Sequence, residues 1–179
     1  MTLSKTIQDA LNQHMNQEFY ASYLYLSMSA YCEAINLPGF AHWMRMQSQE
    51  EYSHAMKMFD FIVKQKGRVI LHPIDQPIIE FHSPLGVMHQ ALEHERHVSQ
   101  LINQLYELAV REHDYPTQVH LQWFVTEQVE EEKVASDIVE RLKMIGERGD
   151  ALLFLDRELA KRWSVMAMGS MGVIAEPSL

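Results

Sequence analysis

Six polar residues sit where the sequence pattern requires hydrocarbon: Glu18, Glu51, His54, Glu95, Gln128 and Glu131. Each falls in a run whose core members recur at alternating three- and four-residue spacing, the mark of a helix with one face buried. The runs read Ile7, Leu11, His14, Glu18, Ala21, Tyr25, Met28, Cys32; then Phe40, Met44, Gln47, Glu51, His54, Met58, Phe61, Gln65. They continue as Met88, Leu92, Glu95, Ser99, Ile102, Tyr106, Ala109 and as Leu121, Phe124, Gln128, Glu131, Ala135, Ile138, Leu142, Ile145. The polar members lie near the middle of each run, so packing the helices side by side brings them to one level. An ionised carboxylate taken out of water is costly unless a counter-charge meets it. Lys and Arg are absent from these positions. A multivalent cation is the economical partner.

The spacing narrows the metal. Glu51 and His54 stand at i, i+3 and share a helix face. Carboxylate oxygens with one imidazole suit Fe²⁺ and tolerate Mn²⁺ or Zn²⁺. A Glu from each of two helices with Glu-x-x-His from the other two is the di-iron carboxylate pattern. Glu18 with Glu51-x-x-His54 meets its first half; Glu95 is present for the second, but there the motif reads Gln128-Val129-Glu130-Glu131. Any one of these glutamates, taken alone, reads as a solvated helix face, and His54 alone as a satisfied core histidine. Their coincidence at mid-helix in four stripes carries the argument. Tyr25, two turns along from Glu18, could hydrogen-bond to a ligand, donate an electron, or simply pack as a core aromatic. Trp123 is expected in the core.

The elements that hold these residues follow from the same pattern. Helices are predicted over about 4–35, 40–66, 84–112, 116–145 and 150–163, in one domain covering 1–163, with an irregular tail at 164–179. Asn36-Leu37-Pro38-Gly39 reads as a terminator of the first helix, and Ser83-Pro84 as the start of the third. Short links make helices one and two, and three and four, antiparallel pairs. The segment from Gly67 to His82 is much longer. Extended, it reaches ~50 Å, more than the ~40 Å length of helix two. The fold class is therefore all-α: a four-helix bundle with one long crossover between helices two and three, plus a short fifth helix.

Composition excludes several alternatives. With 24 acidic and 15 basic residues the formal charge is −9, which lacks the basic footprint of a nucleic-acid binder. No run of ~18 apolar residues offers a membrane span, and the N-terminus has no signal-peptide pattern. The single cysteine, Cys32, suits a reducing cytoplasm.

The chain resembles the bacterial non-haem ferritins from about residue 4 to residue 163. Met15 to Tyr25, Gln49-Glu-Glu-Tyr-Ser-His54, Tyr115-Pro-Thr, and Gln122-Trp-Phe-Val-Thr-Glu-Gln-Val-Glu-Glu-Glu-Lys133 carry the match. The resemblance implies a ferritin-like bundle in which Glu18, Glu51 and His54 hold one iron. It implies that Glu51 bridges to a second iron on Glu95 and Glu131, with Gln128 nearby. Glu50, Glu127 and Glu130 match a third iron position, and Tyr25 the tyrosine beside the centre. Assembly into a 24-subunit shell, with the fifth helix around a four-fold axis, is implied in the same way. Haem is not: Tyr52 follows Glu51 where bacterioferritins carry a haem-ligating methionine, and the second motif lacks their histidine. No Cys-x-x-Cys occurs, which excludes a rubrerythrin. Mini-ferritins lack a fifth helix. The acidic pair of animal three-fold pores has no counterpart, since Gln118 and Leu121 fall at those positions.

A histidine on one iron position and none on the other suits iron as a substrate that arrives as Fe²⁺, is oxidised by O₂ or H₂O₂, and leaves as Fe³⁺. Two rivals are a di-iron oxidase acting on an organic substrate, which predicts a substrate pocket and a small oligomer, and a helical structural protein that binds no metal.

Overall fold

The computed structural model describes residues 3–161, and every regular element among them is helical. Five helices follow one another: α1 (Lys5–Ala34), α2 (Pro38–Lys64), α3 (Pro84–Arg111), α4 (Tyr115–Ile145) and α5 (Gly149–Leu159). Local chemistry marks most of their starts. The Ser4 and Ser83 hydroxyls accept from Ile7 N (3.2 Å) and Gly86 N (3.0 Å), and the Asp114 carboxylate accepts from Thr117 N (3.1 Å).

The ends share a device. Asn36, Lys66 and His113 adopt left-handed φ values of 60°, 58° and 54° just past α1, α2 and α3. The following amide then folds back across the last turn: Leu37 N to Cys32 O (2.9 Å), Gly67 N to Ile62 O (2.8 Å), Asp114 N to Ala109 O (2.9 Å). These are Schellman closures made without glycine at the left-handed position.

Two boundaries differ from expectation. Pro38 and Gly39 open α2 and do not merely terminate α1, because proline's fixed φ and missing N–H are tolerated in a first helical turn. The fifth helix ends at Leu159, short of 163. Trp163 and the tail expected at 164–179 lie outside the described residues.

Links of a few residues pair α1 with α2 and α3 with α4; α1 also packs on α3, and α5 lies against α2 and α4. The crossover from 65 to 83 travels along α1. Asn12 donates to Arg68 O (3.0 Å) and accepts from Ile70 N (2.7 Å), Asn16 donates to Pro73 O (3.2 Å), and Ser27 to Ile78 O (2.6 Å). Successive crossover residues thus meet successive turns of α1, so the segment spans most of the bundle's length as its reach required.

The apolar core is in two parts. One half gathers Tyr25, Met28, Phe40, Met44, Met88, Ile138 and Leu142; the other gathers Ile7, Leu11, Met58, Ile62, Ile102, Leu121 and Phe124. The polar residues at mid-helix lie between these halves along the chain, and all six are buried. At one end of the bundle α5 completes α2. Leu37, the N-cap of α2, supplies no side-chain cap; instead Phe40 N donates to Oδ1 of the buried Asp156 of α5 (2.9 Å). Gly39 is the residue that lets the two helices meet there, because a Cβ at that position would lie 1.7 Å from Asp156 O.

Candidate metal centre

Glu18 of α1 and Glu51 and His54 of α2 each offer a ligand atom, all within 4.8 Å of one another. His54 Nδ1 lies 3.3 Å from Glu51 Oε2 and 3.9 Å from Glu18 Oε2. Atoms so spaced can share one ion at bond lengths of ~2.0–2.2 Å. Glu18 Oε2 and Glu51 Oε1 are buried without a hydrogen-bond partner, an arrangement that a protein tolerates where a cation is to be met. A second group, His54 with Glu127 and Glu131 of α4, satisfies the same 4.8 Å limit.

The surrounding polar side chains hold the carboxylates in place. The Tyr25 hydroxyl donates to Glu95 Oε1. Gln128 Nε2 donates to Glu95 Oε2 and to the Glu95 carbonyl, both at 3.1 Å, and Gln47 Nε2 donates to Glu131 Oε2 (2.9 Å). His14 Nε2 donates to Glu18 Oε1 (2.7 Å). Gln47 and His14 lie on the same stripes as the candidate ligands, but a stripe does not tell which neighbouring helix a side chain meets, so spacing alone gives them no role.

Burial and crowding set the protonation. Glu51 is held well above the usual carboxylate range by burial, then by the charges of Glu95, Glu18 and Glu131. Glu95 is pushed up to about 7, again chiefly by burial. Glu18 goes the other way: burial raises it, but the His14 hydrogen bond and the charges of His14 and His54 together prevail and leave it lowered. Burial lowers His54 and favours its neutral, metal-ready form. Tyr25 stays a phenol, raised well above its usual range by burial and then by the neighbouring carboxylates. A proton on Glu51, a member of the three-ligand group, must leave when a cation enters, and so must one on Glu95 in the two-iron centre proposed below, although Glu95 is in neither three-residue group. Anaerobic Zn²⁺ addition is therefore expected to release protons, more per ion below pH 7 than above pH 8, where Glu95 has already lost its own. Titration in weakly buffered solution measures this, and release that ignores pH would refute it.

With this geometry stand the relatives. The ferritin family, described as a ferritin-like domain, matches residues 8–145. The chain belongs to the ferritin family. It is 44% identical to a bacterial non-heme ferritin of Bacteroides fragilis (strain 638R), over 89% of this chain and 99% of that one. With a bacterial non-heme ferritin of Escherichia coli O6:H1 the identity is 36% over 85% and 92%. The open-pore ferritin of Archaeoglobus fulgidus, a solved structure, superposes with a TM-score of 0.89 at 50% identity, covering 90% of this chain and 98% of that one. An engineered closed form of the same archaeal ferritin gives 0.91 at 49%, over 92% and 100%. The all-helical bundle is thus the ferritin fold in sequence and in shape.

Around this ferritin centre the outer residues sort themselves unevenly. Of the three flanking acids, Glu127 is half-buried and joins His54 and Glu131; Glu50 is half-buried and Glu130 exposed, and neither belongs to the two groups. Trp123 is not a core residue as expected: it is 37% exposed, with its ring edge-on to His54 and the Lys57 ammonium 4.0 Å over its face. Of the two positions read as pore-facing, Leu121 is fully buried in the core, and Gln118 donates to Ala109 O (3.1 Å). Leu121 therefore cannot line a pore.

Proposed function

We propose that this chain stores iron, oxidising Fe²⁺ to Fe³⁺ with O₂ or H₂O₂ at an intrasubunit pair of positions and holding the ferric product in a protein shell. The observation that carries this reading is the buried Glu18–Glu51–His54 group with two carboxylate oxygens left without partners. Its ferritin relatives support the same assignment.

In this reading Glu18, Glu51 and His54 hold the first Fe²⁺, and Glu51 bridges to a second on Glu95 and Glu131, with Gln128 steadying Glu95. Two Fe²⁺ give up two electrons; O₂ takes both with two protons to become H₂O₂, or H₂O₂ takes both with two protons to become two waters. The absence of histidine from the second position leaves that iron more weakly held and free to depart. Glu50, Glu127 and Glu130 provide a third iron position on the way to the cavity, with Glu127 nearest the centre. No haem is required, and the setting is cytoplasmic.

Storage needs an enclosure that one subunit cannot make. We assign this chain to a 24-subunit shell with α5 around the four-fold axis. Support comes from the Archaeoglobus fulgidus relatives, described as open-pore and closed forms, and from apolar side chains that a lone subunit leaves in water. Leu71 and Ile79 of the crossover and Met144 and Phe154 beside and within α5 are each at least 60% exposed, which marks surfaces awaiting a neighbour. Aerobic Fe²⁺ loading tests the whole reading: ferric absorbance should rise rapidly and remain with a particle of shell mass. Small oligomers that release iron, or no oxidation, would overturn it.

Tyr25 is assigned a redox role beside the pair: where only one Fe²⁺ is bound, it supplies the second electron of the two-electron reduction in place of the missing iron, and its hydroxyl proton goes to Glu95. Tyr25→Phe is expected to retain the Fe²⁺ stoichiometry while abolishing any transient tyrosyl radical seen by electron paramagnetic resonance. A loss of stoichiometry instead would make Tyr25 a structural support of Glu95.

A further inference from the structure

We propose that His14 is a positioning residue for iron oxidation, holding Glu18 to the first iron through a single oxygen. The inference rests on the ferroxidase reading above and concerns a side chain outside the ligand set. His14 and Glu18 are one helical turn apart on α1, so their side chains run together, and both are buried. The imidazole Nε2–H occupies Glu18 Oε1 at 2.7 Å. Only Oε2 is left without a partner, and it is the oxygen that lies 3.9 Å from His54 Nδ1. One carboxylate oxygen is thus taken by a hydrogen bond and the other is left for a metal.

His14 itself stays out of the metal position. Phe124 stands edge-on to both imidazoles, with centroid separations of 6.4 Å to His14 and 6.1 Å to His54 and interplanar angles of 87° and 77°. His14 also lines a cleft between α1 and α3, together with Gln13, Gln17, His97 and Gln104. The ring thus meets an aromatic neighbour and a cleft, with one nitrogen committed to Glu18.

The chemical consequence concerns coordination number. A Glu18 free to rotate would chelate the iron with both oxygens and fill a coordination position. Kept to one oxygen, it leaves that position open, as reacting metal sites require. Residues that orient a metal ligand through a hydrogen bond typically govern 10- to 100-fold in affinity or activity.

The test compares His14→Leu, which removes the donor, with His14→Gln, whose amide N–H can reach the same oxygen. Wild type is assayed first: if it neither binds nor oxidises Fe²⁺, the ferroxidase reading has failed and not this one. Given wild-type activity, His14→Leu should bind as much Fe²⁺ anaerobically, yet oxidise it about 10- to 100-fold more slowly at saturation. The ligand-field spectrum of bound Co²⁺ should change with the altered coordination. His14→Gln should recover most of the rate and the wild-type Co²⁺ spectrum. If His14→Leu does not fold, His14→Asn, polar but too short to reach Glu18, takes its place. Wild-type rates without the donor, or no recovery with glutamine, would overturn the assignment.

Discussion

Glu51→Gln is expected to abolish fast Fe²⁺ oxidation and, in the same molecule, to make the metal-free protein more stable. Glu51 belongs to the three-ligand group and, in the proposed centre, bridges the two irons. An amide cannot supply the bridging charge, so oxidation should fall by at least about 100-fold, beyond the effect typical of residues that merely orient ligands. Stability should move the other way. Burial and the charges of Glu95, Glu18 and Glu131 hold Glu51 well above the ordinary glutamate range. A carboxyl raised in the folded state costs nothing at acid pH, where folded and unfolded chains are both protonated. Its cost grows as pH rises through the unfolded and then toward the folded value. The neutral isostere removes that cost, so the gain should be larger at pH 8 than at pH 5. A gain of roughly 1 kcal/mol corresponds to about 2–4 °C in Tm for a chain of this size. Stopped-flow absorbance and calorimetry of metal-free protein read the two effects. Normal oxidation would remove Glu51 from the centre; a lower Tm at pH 8 would show that the carboxylates are not crowded.

Gly39→Ala should detach α5 and prevent assembly of the proposed shell. The added methyl would have to occupy space 1.7 Å from a backbone carbonyl, that of Asp156. Backbone cannot swing aside as a flexible side chain does, so the helices must separate. Separation also takes Asp156 away from Phe40 N, leaving the first turn of α2 without its cap. Cap loss costs about 0.5–2 kcal/mol and overpacking about 1–3 kcal/mol, both concentrated at the joint between α5 and the bundle. Helix content should change little, while light scattering should find particles far smaller than wild type. Asp156→Ala, which removes the cap without the clash, should have the same effect in milder form. A full-size shell from Gly39→Ala would refute the joint.

What the sequence made legible is what depends on spacing along one helix. Glu18, Glu51, His54, Glu95, Gln128 and Glu131 stood out because each interrupts its own stripe, and the crossover could be read from its length against that of α2. What stayed hidden depends on which helix lies opposite. Asp156 reads as an ordinary acidic residue of a short helix; its meaning comes from Phe40, 116 residues earlier. Asn12 looks like a polar residue at the edge of a stripe until Arg68 and Ile70 are seen to meet it. Pro38-Gly39 signalled a boundary correctly, but the reason for the glycine lies in α5. Trp123 is read as core because indoles are mostly buried, whereas here the ring meets the Lys57 ammonium over its face and the His54 imidazole at its edge and stays partly exposed.

The allocation of the proposed ligands between the two helical hairpins bears on how the protein is made. Glu18, Glu51 and His54 all belong to α1 and α2, whereas Glu95, Gln128 and Glu131 belong to α3 and α4. A ribosome that has extruded the first hairpin has delivered a complete three-ligand set. Glu95 follows only after about 40 more residues, roughly 2–8 s of synthesis. During that interval the two carboxylates and the imidazole have no second hairpin to shield them, and in the proposed centre a divalent ion would be able to clasp α1 to α2 while the rest of the chain is still being added. In the proposed reading the supply of metal thereby bears on the birth of the container as well as on its filling.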